Sequence, residues 1–188
     1  AIATCERAIL FYDENFELKD KIMARAADKE GRNFVIKSIE FSPDSTIISV
    51  AQTDNMIFSY RIGSSWGEKK SICSKIPTPC SSTCLVWPGS SLTELYFGQS
   101  DGQVRTGSTK TNKSQMLYQG SSYTTSISVD KQSQYLVSAH QDGQIYLYTM
   151  ESQTFRKIFS TGTVLKSIVI SKNIIYTGLD GVMGIIDR

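Results

Sequence analysis

With 188 residues, 40% of them apolar and 20% charged, and a formal net charge of +2, the chain can bury a core and carries no compositional mark of disorder. Cations and anions are interspersed, which excludes the clustered basic surface of a nucleic-acid binder. Apolar runs fall far short of the roughly 20 residues of a membrane helix, and residues 1–6 lack signal-peptide character, so a reducing cytoplasmic setting is expected.

In chain order, the first segment offers strands over 2–5, 8–13 and 18–23. Residues 25–33, charged and containing Gly31, read as an insertion between repeated units. Strands over 34–41, 46–53, 56–62 and 70–75 form one complete unit. A second unit has strands over 82–87, 95–100, 103–108 and 114–118, and a third over 123–129, 135–141, 144–150 and 155–159. The last unit has strands over 165–170, 174–179 and 182–187.

Punctuation defines the units. Asp54-Asn55, Asp101-Gly102, Asp142-Gly143 and Asp180-Gly181 each separate two apolar runs, and they recur 47, 41 and 38 residues apart. These dipeptides tolerate positive φ and predict two-residue hairpin turns. Upstream of each, another strand ends in its own turn, as at Phe41-Ser42-Pro43-Asp44-Ser45. Small residues precede the hairpins at Ala51, Gly98, Ala139 and Gly178, where a crowded channel end is expected. In 144–148, Ile145 and Leu147 face one way and Tyr146 and Tyr148 the other, so both faces of a sheet need cover.

A period near 40 with four strands per unit predicts an all-β propeller of the WD40 type, incomplete, with about four blades of a larger propeller. The chain is expected to be a single partial domain over 1–188. Within it, 1–24 is the end of one blade, 33–76, 81–119 and 122–160 are blades, and 163–188 is an incomplete blade. Open flanks on both sides lead to the expectation that the natural chain continues beyond each end.

Catalytic and metal-binding chemistry find little support. Cys5, Cys73, Cys80 and Cys84 read as thiols, since the Cys80/Cys84 pair has no second pair or nearby histidine to complete a tetrahedral site. His140, the single histidine, reads as a turn-flanking side chain bonded to backbone, not as a catalytic base. Phosphate-binding glycine loops are absent, and the hairpin aspartates are turn residues more simply than catalytic acids. No catalytic residue, cofactor or metal is expected. Two connections stand out: Ser65-Trp66-Gly67-Glu68-Lys69-Lys70 and Lys110-Thr111-Asn112-Lys113. They read either as solvated charged loops, with Trp66 folded back on a blade, or as a partner-binding surface using Trp66, Lys69, Lys70, Lys110, Asn112 and Lys113.

Several motifs occur in a specific order: Thr4-Cys5-Glu6-Arg7-Ala8-Ile9-Leu10-Phe11-Tyr12-Asp13-Glu14, Phe41-Ser42-Pro43-Asp44-Ser45-Thr46, Trp66-Gly67-Glu68-Lys69-Lys70 and Lys110-Thr111-Asn112-Lys113-Ser114. In these the chain resembles the amino-terminal WD-repeat propeller of the largest subunit of intraflagellar transport complex B. The resemblance implies a non-catalytic scaffold that helps carry cargo along cilia or flagella, on the cytoplasmic side and including the ciliary base. It implies as partners other complex B subunits, among them those with calponin-homology domains, and neither nucleic acid nor a transmembrane segment. A WD-repeat scaffold of another assembly, such as a vesicle coat, is the alternative. The Gly-His and Trp-Asp dipeptides of typical WD repeats are missing, with Tyr12-Asp13 and Ile186-Asp187 nearest, which puts the usual His-Ser/Thr-Trp-Asp network in question.

Overall fold

The computed structural model describes residues 1–28 and 33–187; Lys29, Glu30, Gly31 and Arg32 of the expected insertion, and Arg188, lie outside the described residues. Among the described residues every regular element is a strand. The first sheet holds β1 (Ile2–Ala3), β2 (Ala8–Tyr12) and β3 (Leu18–Met23). The second holds β4 (Ile36–Phe41), β5 (Ile47–Gln52), β6 (Met56–Arg61) and β7 (Ser71–Pro77). The third holds β8 (Ser82–Val86), β9 (Glu94–Gln99), β10 (Gln103–Ser108) and β11 (Lys113–Gln119). The fourth holds β12 (Thr124–Val129), β13 (Tyr135–His140), β14 (Gln144–Thr149) and β15 (Thr154–Ser160). The last holds β16 (Leu165–Ile170), β17 (Ile174–Gly178) and β18 (Met183–Ile186). Each is an antiparallel meander, and strand ends fall within two residues of those expected from sequence.

The turns differ in one respect from the two-residue form expected. Only the second residue of each dipeptide is left-handed, with φ of 63° at Asn55, 88° at Gly102, 83° at Gly143 and 80° at Gly181. The Gly102, Gly143 and Gly181 N–H groups donate to the carbonyls of Gln99, His140 and Gly178, so a longer turn closes on a left-handed residue. Asp101, Asp142 and Asp180 then accept the N–H two residues onward, which explains the acid at this position. Asp54 departs from the pattern: its Oδ2 accepts the Ala27 N–H at 2.8 Å, and burial pushes its carboxyl pKa up.

Four apolar clusters lie between successive sheets, as the two-faced pattern requires. Ile9, Phe11 and Ile22 of the first sheet meet Ile48, Val50, Phe58 and Tyr60 of the second. Ala51, Ile57 and Ile76 on the second sheet's other face meet Leu85, Trp87, Leu95 and Phe97. Tyr148 packs backwards with Val104, Tyr118 and Leu136, whereas Ile145 and Leu147 pack forwards on Leu165, Ile168, Ile170 and Ile174. At about 1.5–3 kcal/mol per large apolar side chain, this cover dominates stability. The arrangement is an incomplete β-propeller, with β4, β8, β12 and β16 innermost and each packed on the next.

The innermost strands are also joined by hydroxyls. Ser38 accepts the Leu85 N–H at 3.2 Å, and Thr83 Oγ1 donates to the Thr124 carbonyl at 2.6 Å. Ser126 and Ser128 accept the Ile168 and Ile170 N–H groups at 3.3 and 3.2 Å. These bonds satisfy backbone groups on the exposed edges of the inner strands. Close approach explains Gly98, where a Cβ would lie 2.5 Å from Thr124 Cγ2 in the next sheet.

His140 is fully buried at the end of β13, where it flanks the turn as expected. Its Nδ1 lies 2.7 Å from the Ser122 carbonyl, the backbone bond expected, and its Nε2 lies 2.8 Å from Ser138 Oγ. The Tyr118 hydroxyl of the preceding sheet donates to that same Ser138 oxygen at 2.8 Å. A Tyr–Ser–His chain thus spans two blades. Tyr146 meets the imidazole edge-on at 5.1 Å, and Gly120 lies so close that a Cβ there would sit 2.1 Å from His140 Cε1.

Burial lowers the His140 pKa, outweighing the Ser122 bond and the charge of Asp142 that raise it. The unfolded imidazole takes up its proton near pH 6.5 and the folded one resists, so folding stability falls as pH drops through 6.5. Thermal melts between pH 7.5 and 5.5 will show a decline that is smaller in His140→Gln; equal declines would contradict the assignment. In urea melts Tyr118→Phe is expected to cost about 1 kcal/mol and His140→Ala about 2–4 kcal/mol. The double variant will lose at least about 0.5 kcal/mol less than the sum, and strict additivity would show that the two side chains are not coupled.

Candidate functional site

The connection between β6 and β7 is shaped by glycines and carboxylates. Gly63 and Gly67 have φ of 90° and 80°, a backbone conformation that glycine adopts without the strain of a side chain. Glu68 folds back to accept the Ser64 N–H and hydroxyl at 3.2 and 3.3 Å. Asp20, on β3 of the preceding sheet, accepts the Gly67 N–H at 2.9 Å and forms an ion pair with Lys70. That pairing lowers the Asp20 pKa, and the Lys70 side chain is only 5% exposed.

The ion pair divides the six sequence-singled residues by role. Lys70 is a tether whose ammonium is held by Asp20 and by the Glu68 carbonyl at 3.0 Å. Trp66 stands 55% exposed at the crest of the loop, and Lys69 is exposed beside it. The indole is therefore not folded back as a buried side chain, one of the two arrangements the sequence allowed.

The β10–β11 hairpin has a parallel division. Asn112 is left-handed, with φ of 57°, and its N–H donates to the Ser108 carbonyl at 2.9 Å. Its side-chain oxygen accepts from Ser74 Oγ at 2.8 Å and from the Lys75 N–H at 3.0 Å, both on β7 of the preceding sheet. The hairpin is thereby pinned to its neighbour, while Lys110 and Lys113 point to solvent. Asp20, Ser74 and Lys75 were not legible as supports, because they lie 37 to 50 residues from the groups they hold.

Other chemistry is confined. All four cysteines are free thiols; Cys5 and Cys73 are exposed, and burial pushes Cys84 up to about 11. Among the described residues no three His, Cys, Asp or Glu side chains gather in a manner that holds a metal ion. Among the described residues no helix is long and apolar enough to cross a membrane.

No protein-family model matches the chain. It is 41% identical over 155 residues to the human intraflagellar transport protein 172 homolog, a match covering 81% of this chain and 9% of that protein. It is 42% identical over 160 residues to intraflagellar transport protein osm-1 of Caenorhabditis elegans, covering 84% of this chain and 9% of that one. With intraflagellar transport protein 172 of Chlamydomonas reinhardtii it shares 36% identity over 174 residues, covering 90% of this chain and 10% of that one. The chain spans about a tenth of the length of the curated relatives it matches. Over the propeller segment that it spans, the chain belongs to the intraflagellar transport protein 172 family.

Proposed function

We propose that the chain is a non-catalytic scaffold of intraflagellar transport, acting within complex B on the cytoplasmic side of the cilium or flagellum and at its base. The observation that carries this reading is identity of 36–42% over at least four fifths of the chain to transport proteins from an alga, a nematode and a mammal. The site chemistry supports it. The single histidine is occupied in a buried inter-sheet network, while the exposed groups of the two loops are an indole and ammonium groups, suited to contact. We take the chain as one propeller domain, corresponding to the amino-terminal propeller of its relatives, with unit bounds 1–24, 33–76, 81–119, 122–160 and 163–188.

Within this reading Trp66, Lys69, Lys110 and Lys113 meet a partner, and Lys70 and Asn112 hold their loops in shape. The partners are other complex B subunits, including those with calponin-homology domains. Because the loops that raise these side chains are already pinned, docking need not order the loop backbone.

Tagged full-length protein in ciliated cells is expected to co-purify with complex B subunits and to move along the axoneme. Trp66→Ala combined with Lys113→Glu will lower that recovery several-fold while leaving folding stability within about 0.5 kcal/mol, as for other exposed positions. Recovery with vesicle-coat proteins and none with complex B would overturn the reading.

A further inference from the structure

The loop that carries Trp66 is one wall of a groove between the first and second sheets, about 660 Å³ in volume. The opposite wall is β3, the last strand of its sheet, and the other lining strand is β7, also the last of its own. Ile22, Tyr60 and Ile72 form an apolar base. A second hollow of about 480 Å³ continues from it, sharing Arg25 and Lys75 and reaching Phe58. The result is an elongated trough bordered by the last strands of two sheets, of which β7 has its Lys75 N–H already taken by Asn112.

Its charge is one-sided. Five cations, Lys21, Arg25, Lys69, Lys70 and Lys75, face three carboxylates, Asp20 and Glu68 in the first hollow and Asp28 in the second. That excess of two equals the formal net charge of the whole chain, gathered in one groove. The two carboxylates of the first hollow are already engaged, Asp20 by Lys70 and the Gly67 N–H, and Glu68 by Ser64. Lys21, Arg25, Lys69 and Lys75 are exposed, and none of them has an anionic partner within ion-pair distance among the described residues. Equivalent seams elsewhere are not built this way. The groove between the third and fourth sheets has Glu94 as its charged residue, and the one between the fourth and fifth sets Arg156 and Lys157 against Asp187.

The geometry points to this trough as a docking site for an extended acidic segment of a partner protein, its carboxylates on Lys21, Arg25, Lys69 and Lys75 and its apolar side chains on Ile22, Tyr60 and Ile72. An extended peptide fits three features together. Its backbone reaches the edge of β3, its alternate side chains separate into the apolar base and the charged walls, and its length follows the two joined hollows. A compact phosphate group would occupy the first hollow alone and leave the second, which reaches Phe58, unfilled. A membrane surface would meet the rims and leave the recessed base empty.

This assignment deepens the scaffold reading and rests on it. The test measures anisotropy of a fluorescein-labelled peptide of alternating glutamate and valine, titrated with the full-length protein. Binding is expected to saturate, to weaken with salt, and to fall about tenfold or more in Lys21→Glu/Lys75→Glu. Lys131→Glu/Lys172→Glu, two exposed lysines on turns of the fourth and fifth sheets altered by the same charge, is expected to bind within about twofold of the unsubstituted protein. Absence of saturable binding, retention of binding by the groove variant, or equal losses in both variants would overturn the assignment. So would capture of phosphatidylserine vesicles that the groove variant abolishes and the peptide does not compete. The scaffold reading fails separately, if the unsubstituted protein is not recovered with transport proteins whatever the groove variants do.

Discussion

Each sheet in this chain carries apolar side chains on both faces, so no sheet is stable in water unless another lies on either side of it. That constraint dictates the architecture. Tyr148 and Leu147 are adjacent residues of one strand, yet they belong to cores shared with different neighbours. The twist of antiparallel strands then turns successive sheets around an axis instead of stacking them as flat layers. Small residues follow from the same cause, since Gly98 leaves the space that Thr124 of the next sheet occupies.

Much of this was legible in the sequence because it is encoded locally. A turn dipeptide, an alternating strand and a period near 40 residues all lie within short windows, and the strands appear where those windows place them. The turns were read one step too simply. The acid at Asp101, Asp142 and Asp180 caps a longer turn through its side chain, so only its neighbour adopts positive φ. The link from Tyr118 to His140 was not legible, nor were the bonds from Ser126 and Ser128 to the next inner strand. Their partners lie 20 to 42 residues away, and no local pattern separates such a serine from a solvent-facing one.

The loop residues show the same division between local and distant information. Composition alone placed Trp66, Lys70 and Asn112 in one class, that of exposed polar or aromatic loop positions. Contacts with the preceding sheet separate them: Asp20 takes Lys70, Ser74 and Lys75 take Asn112, and Trp66 remains in solvent. Positioning residues and presenting residues thus alternate along the same short loops. The partner-facing side chains stand on a base whose hydrogen bonds are already made, a form of preorganisation.

The Tyr118–Ser138–His140 chain changes what a repeat means in this molecule. Where a polar network closes inside each unit, copies are modular: one can be duplicated, deleted or grafted with its own bonds intact. Here the hydroxyl belongs to one copy and the imidazole to its successor, so neither copy is self-sufficient. Tandem units tied in this way become order-dependent, and substitutions in one copy constrain which residues its successor can accept. Such a chain diversifies as pairs of neighbouring units, not as single interchangeable modules.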